Sequence, residues 1–114
     1  MIKRHKRTPI MHRAVEHNGI LYCGGMLADD LKGSMRDQTS EICGKLDKLL
    51  AELGSNKSKL LSATIYITDM GRKEQMNAAW LAWIEAEYLP ARTTVGVSDL
   101  GQGVQVEIMV TAAK

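Results

Sequence analysis

Leu60-Leu61-Ser62-Ala63-Thr64-Ile65-Tyr66-Ile67-Thr68 decides the fold, because the period of the chain changes on either side of it. Within the stretch Leu61, Ala63, Ile65 and Ile67 fall on one side. Leu60, Ser62, Thr64, Tyr66 and Thr68 fall on the other, the two-residue alternation of a strand with one apolar face. Upstream, Met35, Thr39, Ile42, Leu46, Leu49, Leu50 and Leu53 recur at three- and four-residue steps, which predicts a helix over Ser34–Leu53. Ser34 serves as its N-cap with Asp37 in the first turn, Gly54 as its C-terminal stop, and Glu41–Lys45 as an outer i, i+4 pair. Downstream, Met76, Ala79, Trp80, Trp83, Ile84 and Tyr88 mark a second helix over Lys73–Tyr88, stopped by Pro90.

Strands are expected on both flanks. Ile10–Glu16 and Ile20–Cys23 read as a hairpin about Asn18-Gly19, a pair suited to the positive φ of a type I′ turn. Gly24-Gly25 then ends the strand or lets its backbone approach something closely. At the far end come a short strand over Thr93–Ser98, a glycine-rich turn over Asp99–Gly103 and a strong strand over Val104–Ala112. The order is ββαβαββ, one domain over residues 1–114. Two helices can cover only one face of such a sheet, which makes a two-layer α+β domain. The other face mixes Tyr66, Met109 and Leu60 with Thr64, Gln105 and Glu107, and a half-apolar face of this kind implies a homo-oligomer in which sheets pack together.

Composition excludes several classes. With 114 residues, 45% apolar and 25% charged, the chain is one ordinary globular domain. No apolar run approaches the ~20 residues of a membrane span. The N-terminus is basic without the apolar centre of a secretory signal, so a cytoplasmic protein is expected. Cys23 and Cys43 form no CxxC pair, and three histidines (His5, His12, His17) assemble no zinc pattern. Both thiols read as core residues of a reduced protein. Lys3, Arg4, Lys6, Arg7 and Arg13 stand without an acid in the first 13 residues. This arm suits nucleic-acid phosphates, although a solvated, partly frayed terminus is the simpler reading.

There is no P-loop, dinucleotide glycine pattern, HExxH or GxSxG. What stands out is Pro90-Ala91-Arg92-Thr93-Thr94-Val95 followed by Val104-Gln105-Val106-Glu107-Ile108. Glu107 lies in mid-strand among apolar neighbours, costly for a carboxylate unless it is paired or used. If the last two strands form a hairpin that sets Thr94 against Glu107, then Arg92 and Glu107 share a face about 7–8 Å apart. A one-residue slip separates them. The pair reads either as an ion pair that fixes assembly or as a carboxylate-binding arginine beside a glutamate that handles water or a proton.

From about Met11 to Ala113 the chain resembles the Rid family of reactive-intermediate deaminases, also called YjgF/UK114 or endoribonuclease L-PSP. The resemblance rests firmly on Pro90–Val95 and Val106-Glu107-Ile108. Softer matches are Asn18-Gly19, Cys23-Gly24-Gly25, Thr64–Asp69 and Met76-Asn77-Ala78-Ala79-Trp80. It implies a chorismate-mutase-like homotrimer, sheets facing inward, with ligand sites between subunits. It also implies cofactor- and metal-free hydrolysis of enamines or imines such as 2-aminoacrylate to a 2-keto acid and ammonia. Carried over by position, Arg92 clamps the substrate carboxylate, Glu107 places or activates water, Thr94 and Asn77 line the pocket, and the Gly25 backbone approaches the ligand. The family's frequent tyrosine is Met11 here, with His12 beside it as a substitute polar group or an ordinary strand histidine. The frequent serine is Gly24, and the following glutamine is Met26.

Three functions stand against one another. An enzyme centred on Arg92 and Glu107 comes first. A regulatory protein that keeps the clamp and senses a small carboxylate such as a 2-keto acid comes second. An RNA-directed activity, supported only by Lys3, Arg4, Lys6 and Arg7, comes third.

Overall fold

A computed structural model describes residues Met1–Lys114. Its strands are β1 (Lys3–Arg7), β2 (His12–His17), β3 (Ile20–Cys23), β4 (Leu60–Ile67), β5 (Ala91–Gly96) and β6 (Val106–Ala113). Its helices are α1 (Met35–Glu52) and α2 (Lys73–Trp83). The strands form one mixed sheet in the order β1-β2-β3-β6-β4-β5, with only β4 and β5 parallel neighbours. Both helices pack on one face over a continuous core of 23 buried residues. No helix is long and apolar enough to cross a membrane.

Most local readings hold because local chemistry enforces them. Asn18 and Gly19 take φ of 52° and 76°, the type I′ geometry that joins β2 to β3. Ser34 and Asp37 form a reciprocal capping box, and Gly54 follows α1 at φ +80°. Cys23 and Cys43 are free and buried in the core.

Several expectations are corrected. The basic arm is not frayed: Lys3–Arg7 is an additional strand, paired antiparallel to β2 and tied down by His5–Glu16 and Lys6–Glu52 contacts. The order is therefore βββαβαββ. The hairpin's first strand begins at His12, and Ile10 is left 88% exposed. Glu41 and Lys45 do not pair. Glu41 accepts the N–H groups of Asp29 and Asp30, while Lys45 donates to the Leu27 carbonyl and Asp29, so both brace the loop before α1.

In β4 a bulge between Leu60 and Ser62 reverses the expected sides of the two leucines. Leu60 turns into the core and Leu61 out to 45% exposure. Gln105 precedes β6, and its amide turns to the Gly33 carbonyl rather than onto the open sheet face. The second helix ends at Trp83, not Tyr88. Ile84 turns extended (φ −119°, ψ 137°), which carries its side chain into the core, and Tyr88 is 39% exposed in a separate 3-10 turn. The Trp83 carbonyl, left free at the helix end, receives the Lys57 ammonium.

The largest correction concerns the last two strands, which form no hairpin. β4 lies between them, parallel to β5 and antiparallel to β6. Burial explains the choice. Val106, Ile108, Val110 and Ala112 are almost wholly buried, so β6 takes a central place between β3 and β4. The threonine-bearing β5 is left at the edge, and α2 supplies the crossover that a parallel pair needs.

Candidate functional site

The sheet distributes the expected site residues over two places. Arg92 is level with Ala63, a core residue, and so faces the helices from edge strand β5. Its Nη2 donates to Asn77 Oδ1 at 2.8 Å, and its Nη1 lies 3.7 Å from Met76 Sδ. The guanidinium sits 5.9 Å from the Trp80 ring centroid, a cation–π contact. Asn77 in turn donates to Glu74 at 3.4 Å, which turns the amide oxygen toward Arg92. Burial lowers the Arg92 pKa, yet an arginine remains charged at neutral pH. No carboxylate pairs with it. Around it a cleft of about 280 Å³ is walled by Asn77, Trp80, Leu81, Leu89 and Pro90. Thr94 shares the face of Arg92, one step along beside Ile65, but does not line that cleft.

Glu107 is level with Tyr66 and faces the opposite side. It makes no hydrogen bond or ion pair although half-buried. The chain after β3 runs alongside it, where Met26 exchanges both backbone hydrogen bonds with Ile108. A Cβ at Gly25 would lie 2.1 Å from Glu107 Oε2, so any side chain there must push the carboxylate from its place. A Cβ on Gly24 would meet Met11 Sδ at 3.3 Å and Arg13 Nη1 at 3.6 Å. Arg13 Nη2 donates to the Gly24 and Gly25 carbonyls at 3.2 and 2.9 Å and fixes the turn. This region opens into a cavity of about 840 Å³, lined among others by Met11, Arg13, Gly25, Lys45, Lys48 and Glu107.

Arg92 and Glu107 therefore do not share a face, and the expected Thr94–Glu107 register is replaced by Val95, Tyr66 and Glu107 on one level. Two strand spacings across and three residues along put the two Cα atoms about 14 Å apart, with the sheet between the side chains. His12 joins neither group. It lies on the Ala14 side of β2 and lines neither opening.

Arg13, Lys45 and Lys48 are among the charged lining residues that sequence reasoning passed over. For Arg13 a signal existed. A two-residue turn at Asn18-Gly19 pairs His17 with Ile20, and counting back sets Arg13 against Gly24.

Comparison with known proteins adds a lineage to this geometry. A family model described as endoribonuclease L-PSP matches residues 4–114. A RutC family protein of Haemophilus influenzae is 37% identical over 97 residues, covering 84% of this chain and 84% of its own. The RutC family protein YoaB of Escherichia coli is 37% identical over 99 residues, 87% of this chain and 86% of its own. The crystal structure of NMB1025 from Neisseria meningitidis, a member of the YjgF protein family, superposes with a TM-score of 0.94 at 36% identity, over 100% of this chain and 95% of that one.

Proposed function

The chain belongs to the endoribonuclease L-PSP family, the group that includes the RutC and YjgF proteins, and on that premise we propose that it hydrolyses small 2-imino acids in clefts between copies of itself. The observation that carries this reading is a pair of uncompensated charges. Arg92 has no carboxylate partner and Glu107 has no cation partner, and each faces an opening. Their placement on opposite sheet faces requires a second copy if one ligand is to touch both. A homo-oligomer then supplies Arg92 from one copy and Glu107 from its neighbour.

The chemistry asks little beyond placement. Arg92 holds the ligand carboxylate by charge-assisted hydrogen bonds, with Asn77 fixing the guanidinium. Glu107 takes a proton from water as the water oxygen bonds to the imine carbon, and passes it to nitrogen. The C–N bond breaks as the carbonyl forms, the remaining hydroxyl proton goes to the departing ammonia, and a 2-keto acid and ammonium result. A protonated imine is electrophilic already, so orientation supplies most of the acceleration.

The test generates 2-aminoacrylate in situ with a serine dehydratase and follows pyruvate formation with and without the protein. Acceleration by wild type and its loss in Arg92→Ala support the hydrolase. No acceleration by a folded protein overturns it for that substrate, and saturable binding of 2-keto acids would then identify a sensor of small carboxylates.

A further inference from the structure

The cavity around Glu107 carries more positive charge than its own acids neutralise. Lys6 is committed to Glu52, and Lys45 to Asp29 and the Leu27 carbonyl. Arg13 touches only the Gly24 and Gly25 carbonyls and the Met26 sulfur, so no carboxylate offsets its charge. Lys48 makes no hydrogen bond or ion pair, although its charge lies close enough to Glu52 to help lower that carboxyl's pKa. One unopposed cation, Arg13, and a second, Lys48, that Glu52 offsets only at longer range thus share the cavity with one free acid, Glu107. The Arg92 cleft is different, with the apolar walls Trp80, Leu81, Leu89 and Pro90 and no second cation.

Arg13 presents a held guanidinium with one unpaired edge. Its two carbonyl contacts fix one edge of the planar guanidinium in advance, so less side-chain freedom is lost when a ligand binds. Its Nη1 is left free, and Gly24 places no side chain in front of it. On the antiparallel ladder Arg13 and Glu107 belong to the same face, with the Gly24-Gly25 segment between them. About 840 Å³ is ample for a substituent of two or three carbons.

We propose that the ligand is a diacid: an imine of an amino-dicarboxylic acid, whose side-chain carboxylate is held by Arg13, with Lys48 adding positive potential from across the cavity, while its 2-carboxylate is held by Arg92 of another copy. The proposal rests on the imine-hydrolase reading for its chemistry but makes its own prediction about charge.

Two measurements separate the readings. Calorimetry compares binding of 2-oxoglutarate with that of 2-oxohexanoate, which lacks the second carboxylate, to wild type, Arg13→Gln and Lys48→Gln. Turnover compares 2-iminoglutarate, made by a glutamate oxidase, with 2-iminohexanoate, made from norleucine by an amino-acid oxidase. The expected result is a preference for the diacid of about tenfold or more, as one charge-assisted contact supplies. It should collapse toward unity in Arg13→Gln and fall two- to threefold in Lys48→Gln. If Arg13→Gln does not fold, Arg13→Lys replaces it, with selectivity reduced but still above one.

Equal affinity for the two keto acids, or a preference that every variant retains, overturns the proposal. Hydrolysis of both imines with equal kcat/KM overturns it and leaves the hydrolase standing. No hydrolysis of either imine, with a diacid binding preference that depends on Arg13, overturns the hydrolase and supports the diacid site.

Discussion

Arg92 and Glu107 point to opposite sides of one sheet, with β4 between their strands. If one ligand touches both, two defective proteins can repair one another. Arg92→Ala and Glu107→Gln, each inactive alone, are expected to regain activity when unfolded and refolded together. In a cyclic oligomer from an equal mixture, about a quarter of the interfaces pair an intact arginine with an intact glutamate. The recovered imine hydrolysis should approach that fraction, and its complete absence would show that no ligand is shared between Arg92 of one copy and Glu107 of the next.

Gly25 leaves no room for a methyl group beside Glu107. Gly25→Ala should displace the carboxylate, abolish hydrolysis and lower stability by about 1–3 kcal/mol in denaturant unfolding. Adding Glu107→Ala should restore most of the stability and none of the activity. The sum of the single effects, in place of that recovery, would show the two residues to be uncoupled.

Asn77 holds Arg92 through a neutral oxygen at 2.8 Å. Asn77→Asp would put a charge there and pair the guanidinium internally. The expected result is a rise in KM of about tenfold with little change in Tm, because the substrate carboxylate must now displace an ion pair.

Two carboxylates that tie β1 to the body sit below their ordinary value of 4.5. The His5 hydrogen bond is the main cause for Glu16, with Lys114 adding to it, and the Lys6 hydrogen bond is the main cause for Glu52. A depressed carboxylate stabilises the fold above its unfolded pKa and loses that contribution as pH falls through its folded pKa. Between about pH 5 and about pH 3 the wild-type Tm should therefore fall more steeply than that of a Glu16→Gln, Glu52→Gln protein. Parallel Tm curves would show that these contacts contribute nothing.

Burial raises the Cys23 thiol above its ordinary range and pushes Cys43 up to about 12. Neither should react with iodoacetamide at pH 8 in the native protein, and both should react on unfolding. Mass spectrometry of the quenched protein checks this, and rapid native labelling of Cys43 would contradict its placement in the core.

What the sequence made legible was whatever one segment settles by itself. The capping box at Ser34 and Asp37, the left-handed Asn18-Gly19 turn and the stripe Met76–Ala79–Trp80 are properties of a few consecutive residues. The misread features are decided by distant ones. Lys3–Arg7 has no apolar alternation; it is a strand through its backbone ladder to β2, with Glu16 and Glu52 receiving His5 and Lys6. Nothing inside Ala91–Gly96 says whether its neighbour will be β4 or β6. That competition is settled by which strand has the more apolar side to bury. With it went the relative sides of Arg92 and Glu107, so the residues of the candidate site were legible but their division between two openings was not.

The sheet ends in β1, whose outer rim carries no hydrogen-bonding neighbour. Such a rim invites another strand to add on and, repeated, to grow a fibre. Here Lys3, Arg4 and Arg7 crowd it with like charge, and Lys6 at φ 54° bends it out of a straight ladder. Beyond docking to Glu16 and Glu52, the basic strand thus acts as a guard on solubility. Neutralising its cations should hardly change the fold of a dilute sample, yet it should leave a concentrated one prone to gel.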